Sequence, residues 1–184
     1  YWVHATVPNR NRFAAIGDQS RVSEPEIYDY HEHLVREAVI LATGTEQAGR
    51  GAWWIQNNSL PRMSRYANAK FDLLRAVDQP LAPTALSYHA TGVGHFFARN
   101  SWATDATWLA FIAGPYDQSH AHQEQGSFTL WRNTWLAVTT NIYSNSGIEQ
   151  SVDRHNTIRF VNGGQNIPQT PNENVASSMT YTDQ

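Results

Sequence analysis

The chain has 184 residues, a formal charge of -3, 41% hydrophobic residues and 16% charged residues. That balance fits a folded chain with one sizeable core and argues against a disordered one. With no cysteine, disulfides and thiolate metal sites are excluded, and any metal must rest on histidine and carboxylate ligands.

The near-neutral charge comes without a Lys/Arg cluster, so nothing would track nucleic-acid phosphates. No run approaches the roughly 18 to 20 apolar residues of a membrane span. The chain begins with Tyr1-Trp2, carries no signal-peptide pattern and ends in the polar run 180–184. It reads as a processed chain or a segment of a longer one. Seven Trp and eight Tyr suit both core packing and sugar-binding clefts.

The first predicted element is a helix. Ser23-Glu24-Pro25-Glu26 has the form of a capping box, with Ser23 as N-cap and Glu26 at the third helical position. Pro25 is tolerated in a first turn. Ile27, Tyr30, Leu34, Val35, Ala38 and Leu41 then recur every three to four residues as one apolar stripe, and Gly44 is placed to end it. Tyr28, Tyr30, His31 and His33 fall on this helix, where packing and surface roles account for them. Residues 43–58 read as a Gly-rich polar connection with Trp53-Trp54 embedded, and a second helix is predicted over 61–77.

The paired prolines of Asp78-Gln79-Pro80-Leu81-Ala82-Pro83 mark a boundary. Beyond it, segments 94–100, 106–113, 127–131, 135–141 and 156–161 are short and rich in aromatic or β-branched residues, as strands are. Arg132-Asn133-Thr134 reads as a hairpin turn. If Trp131 pairs with Trp135, a regular ladder puts Ser127 opposite Thr139. The tail, 162–184, is polar and holds at most one weak strand. The fold class is therefore α+β, with helices over 1–80 and antiparallel strands over 81–184.

Chemistry concentrates after the boundary, where His89, His95, His120, His122 and His155 lie. In an extended segment His120, His122 and Glu124 project to one face, aiming two imidazoles and a carboxylate at the same space. One imidazole could ligate a metal while its neighbour serves as a base. Spacing alone is weak evidence, and two histidines on a half-exposed strand bonded to water or backbone is the plainer reading. Arg99 could hold a substrate carboxylate bidentately, or make a structural ion pair. Trp102 is a possible sugar platform, whereas Trp108, in an apolar strand, reads as core.

The segment GPYDQSHAHQEQGSF, 114–128, resembles the H-x-H-x-D-x-G-S-F strand of the heparinase II/III-like polysaccharide lyases. The resemblance continues through Phe97-Ala98-Arg99-Asn100-Ser101-Trp102, the strand around Trp108, the hairpin strand Trp135-Leu136-Ala137-Val138-Thr139, and His155-Asn156-Thr157. It covers 85–162, and the helical part before it is similar to the end of the α/α toroid that precedes the β-sandwich in these enzymes.

The resemblance implies a lyase that cuts acidic, uronate-containing polysaccharides such as heparan sulfate or alginate by β-elimination, in the periplasm or outside the cell. It makes His120 the catalytic-cleft histidine, and His122 and His155 ligands of a structural zinc. The family's third ligand is an aspartate, and Thr139 stands at that position, a poor replacement on Zn²⁺. The family's catalytic tyrosine and Asn/His lie well over a hundred residues before the H-x-H strand, whereas 119 residues precede His120 here. A non-catalytic carbohydrate-binding sheet of the same outline is the alternative.

Overall fold

The computed structural model describes residues 1–20, 25–58, 78–117, 121–143, 149–170 and 179–182. The helix predicted over 61–77, Ser23 and His120 lie outside the described residues.

A five-stranded antiparallel meander organises the molecule: β1 (Ser87–Ala90), β2 (His95–Arg99), β3 (Trp108–Ile112), β4 (Phe128–Arg132) and β5 (Thr134–Ala137), each bonded to its neighbours in sequence. Four of these overlap predicted strands, β4 and β5 each taking one residue of the predicted turn, and β1 is an addition before them. Because side chains alternate across a strand, Phe97, Arg99, Trp108, Ala110, Ile112, Thr129 and Trp131 are buried on one face. The register sets them in rows, with Arg99 opposite Trp108, Trp108 opposite Trp131, Phe97 opposite Ala110 and His95 opposite Ile112.

Trp131 does pair with Trp135, and Asn133 turns the hairpin with φ 60°. The regular ladder expected beyond that pair does not form. A register shift at Leu130/Trp131 brings Leu130 opposite Ala137, and β5 ends there. Thr139 therefore lies past the ladder instead of opposite Ser127. A second, two-stranded sheet pairs β6 (Phe160–Asn162) with β7 (Gln165–Ile167) and is exposed throughout.

The chain's first residues lie across the buried face of the meander. A short helix α1 (Trp2–Ala5) leads into an extended stretch where Thr6 bridges Phe13 and Arg12 bridges Glu26. Trp108 Nε1 donates to the His4 carbonyl at 2.9 Å, and Arg99 Nη2 donates to the carbonyls of His4 at 3.2 Å and Thr6 at 2.8 Å. Trp54 Nε1 donates to Thr6 Oγ1 at 2.8 Å. One core thus runs from Ala5, Val7 and Phe13 through Val35 and Trp54 to Phe97, Trp108 and Trp131, across the change from helices to strands near residue 80.

Helix α2 (Asp29–Leu41) starts later than the capping box predicts. Pro25 and Glu26 are held extended, Pro25 O accepting from Phe13 N and Glu26 bridging Arg12. The first turn is closed instead by His31 Nδ1, which accepts from Tyr28 N at 3.0 Å. Gly44, at φ +85°, follows the helix end as expected.

Residues 46–57 are a helix too, α3 (Glu46–Asn57), where the glycines suggested a connection. Thr45 caps it, its hydroxyl accepting from Ala48 N. A Cβ on Gly51 would stand 2.5 Å from Val39 Cγ2, so the small residues there serve close packing of α2 on α3 and do not break the helix.

Candidate active site

Residues 121–124 do not form the strand expected for 120–124. Glu124 N donates to His122 O at 2.8 Å, and Gly126 (φ +80°) turns the chain back so that its N–H reaches Ile112 O at 2.7 Å. This tight fold replaces strand alternation, yet His122 and Glu124 both end up buried, at 0% and 4% exposure.

The H-N-T segment holds this turn from the other side. Asn156 Nδ2 donates to Phe128 O at 3.1 Å, and Thr157 Oγ1 donates to Gln125 O at 3.0 Å. His155 is thereby set beside His122, with ring centroids 5.2 Å apart and edge to face. Of the residues singled out for chemistry, His122, Glu124 and His155 are therefore brought together.

Two residues complete this centre that spacing could not reveal. Asp18, 104 positions away, meets His122 Nε2 at 3.1 Å. Asn141, fully buried, places Nδ2 3.4 Å from His122 Nδ1 and donates to Glu149 O at 2.8 Å. These contacts fit one tautomer, in which His122 donates from Nε2 to the carboxylate and accepts at Nδ1. Glu124 Oε1 accepts from Gly17 N at 2.8 Å, and its Oε2 stands 3.6 Å from His155 Nδ1.

Burial governs the charges here. Desolvation pushes Glu124 up to about 7, partly offset by the Gly17 N–H. Desolvation, and then the charge of His122, brings His155 down to about 4. His122 is lowered by desolvation against the opposing pull of Asp18. Burial drives both members of the Glu124–His155 contact toward their neutral forms, so it is an imidazole beside a carboxyl group more than an ion pair.

The two imidazoles are thus unprotonated and chemically suited to a zinc ion. Both ring nitrogens of His155 are buried without a hydrogen-bond partner. The third expected ligand falls short. Thr139 Oγ1 donates to the Arg154 carbonyl at 2.8 Å, and His122 is flanked by the Asp18 carboxylate at Nε2 and the neutral amide of Asn141 at Nδ1. Among the described residues no three His, Asp or Glu side chains are grouped to hold a metal. Of the expected zinc ligands, His122 and His155 lie side by side, while Thr139 turns its hydroxyl to a carbonyl and supplies no acid.

Arg99 and Trp102 sit elsewhere. Arg99 is buried, its guanidinium bonded to two carbonyls and lying 3.8 Å from the centroid of the Trp102 ring. That places it within the framework, held by the first segment. Trp102 is half-buried, with one face over Arg99 and its Nε1 donating to Ala85 O at 3.2 Å.

Beside the imidazole centre opens a cavity of about 410 Å³. Gly17, Asp18 and Glu124 form one wall, and Val93, His95 and Ile112 another. Backbone packing fixes the second wall. Gly94 (φ +65°) has no room for a side chain, since a Cβ would lie 2.2 Å from Gly114 Cα, and Ala113 N donates to Gly94 O at 2.8 Å.

A heparin-sulfate lyase from Bacteroides stercoris is 34% identical over 98 residues, covering 48% of this chain and 14% of that protein. Over that stretch the chain is similar to a heparin-sulfate lyase. Two solved structures share its fold. A heparinase III matches over 84% of this chain with 19% identity and a TM-score of 0.56. The heparan sulfate lyase HepC from Pedobacter heparinus matches over 80% with 17% identity and a TM-score of 0.52. The chain spans 22% and 19% of those structures, so it corresponds to a part of such proteins. No protein-family profile matches it. Among the described residues no helix is long and apolar enough to cross a membrane.

Proposed function

We propose that this chain is the sheet-bearing part of a polysaccharide lyase that cleaves a uronic-acid polysaccharide by β-elimination, within a longer protein of the periplasm or cell exterior. The observation that carries the reading is the 34% identity to a heparin-sulfate lyase over 98 residues. The helices before residue 80 would close a toroid, and the sheet after it would belong to a β-sandwich.

β-Elimination removes the weakly acidic proton beside the uronate carboxylate and expels the 4-linked oxygen. The site must hold a base and an acid within reach and stabilise the charge that develops. In this reading His120 reaches the cleft, and the packed pair His122–His155 braces the turn that presents it. The zinc implied by the family would draw on His122 and His155. With Thr139 at the position of the family's acid, no step is assigned to a metal.

The test is ultraviolet absorbance of the unsaturated uronate product, with the whole protein acting on heparan sulfate, alginate and hyaluronan. His120→Ala should lower kcat by about 10²-fold or more if the imidazole transfers a proton. Binding of these polymers with no unsaturated product on any of them would overturn catalysis. That outcome supports a second reading, a carbohydrate-binding sheet, favoured by the neutral Thr139 where the family pattern has an acid.

A further inference from the structure

We propose that the cavity beside the imidazole centre is a subsite for an uncharged sugar unit, in which His95 donates a ring N–H to a ligand oxygen and the Tyr1 hydroxyl holds that ring in place. The choice of a sugar as the ligand rests on the polysaccharide reading above. The assignment of the cavity rests on its own geometry.

His95 opens β2 opposite Ile112, and the Gly94–Gly114 contact sets both strand ends at the cavity wall. Its Nδ1 lies 2.8 Å from the Tyr1 hydroxyl. The Tyr1 ring packs edge-on against Phe97, with centroids 5.4 Å apart, which steadies the phenol. Burial, with Glu124 adding its charge, keeps that phenol protonated, its pKa raised to about 12. We assign the phenol as the donor to Nδ1, an arrangement that puts the neutral imidazole's own proton on Nε2. Among the described residues no protein group bonds to Nε2, which leaves one N–H donor on a residue that lines the cavity.

The rest of the lining matches a polyol. Asp117 and the Asp18 carboxylate, which also holds His122, line it with negative charge, and Val93 and Ile112 offer an apolar surface for a C–H face. No Lys or Arg lines the cavity among the described residues. A uronate carboxylate entering it would meet like charge with no cation to compensate. The unit that fits is the neutral sugar next to the uronate. The volume lies within the range of small-molecule sites, about 300–1,000 Å³.

The probes are diacetylchitobiose, a neutral disaccharide, and free glucuronate, titrated into the whole protein by calorimetry and ligand-observed NMR. Diacetylchitobiose should bind about tenfold or more tightly than glucuronate. His95→Ala should weaken the neutral probe by about tenfold, and His95→Gln, which restores an N–H donor, should recover part of the loss. Tyr1→Phe keeps the ring and removes the hydroxyl. It should shift the His95 ¹⁵N signals from a pure Nε2–H tautomer toward a mixture while the circular dichroism stays unchanged.

Equal or tighter glucuronate binding, unchanged affinity in His95→Ala, or no binding of the neutral probe would each overturn the subsite. Turnover of uronate polymers without neutral-probe binding would remove the subsite and leave the lyase reading standing. Neutral-probe binding without turnover would do the reverse.

Discussion

The buried face of the meander and the imidazole centre are both polar in places, but they are built in opposite ways. On the sheet, Arg99 and Trp108 reach across more than ninety residues to backbone carbonyls of the first segment. In the centre, His122, Asp18, Asn141, Glu124 and His155 meet mainly side chain to side chain, on turns and loops. The first arrangement positions a framework with a buried cation. The second gathers acids and imidazoles and leaves both ring nitrogens of His155 without a hydrogen bond.

Acid should break the framework first and hardest. His4 is 6% exposed, and desolvation, then the charge of Arg99, holds its pKa down to about 3. In the unfolded chain it takes up a proton near the ordinary histidine value, whereas the folded chain resists until far lower pH. The stability it contributes is complete above about 6.5 and declines as pH falls from there toward 3. One such group costs up to about 1.4 kcal/mol per pH unit across that window. Thermal melting from pH 8 to pH 4.5 should show a marked fall in Tm, and His4→Gln should flatten it. A Tm profile of equal slope in the variant would assign the acid sensitivity to other groups.

Arg99→Met sharpens the same side of the comparison at neutral pH. It leaves Thr6 O without the guanidinium, reduces His4 O to its bond from Trp108, and ends the contact with the Trp102 ring. Urea unfolding should show a loss of about 2–3 kcal/mol, the scale of hydrogen bonds to a charged group. Were Arg99 a substrate ligand instead, the variant would keep its stability and lose only affinity.

Sequence patterning carries the framework far better than the centre, and the physical reason lies in range. Alternation is a local signal, so β2 to β5, the Trp131–Trp135 pairing and the burial of Trp108 could be read directly. Helix α3 was missed because Gly49 and Gly51 look like breakers until the close packing against Val39 and Leu81 is known. The centre needed contacts between residues far apart in the chain. The H-x-H and H-N-T segments named His122 and His155, while nothing in the neighbourhood of Asp18 or Asn141 announced that they would touch His122. The expected position of Thr139 failed on one register shift, which no alternation pattern displays.

Thr139→Val tests the centre's scaffold with a smaller effect. The hydroxyl donates to Arg154 O and accepts from Asn141 N at 3.3 Å, tying the end of the hairpin to the turn that carries His155. Its removal should cost about 1 kcal/mol in chemical denaturation, with the His122 and His155 NMR signals shifting and the Trp108 signals unmoved. A shift spread evenly over both regions would erase the distinction between them.

The subtlest change tests what the centre lacks. Asn141→Asp replaces the amide beside His122 Nδ1 with a carboxylate, at the cost of the bond to Glu149 O. Burial lowers both His122 and His155, and the variant would add a carboxylate on the Nδ1 side of His122 to the two imidazoles, a stronger donor set for a zinc ion. The wild-type chain should hold well under one zinc per molecule after dialysis, and its Tm should ignore a chelator. The variant should retain zinc and gain a Tm that falls when the metal is stripped, since a ligand bound only to the folded state stabilises by mass action. Equal zinc content in both proteins would mean that the present donors already suffice, and that the hydrogen bond of His122 to Asp18 yields to a metal.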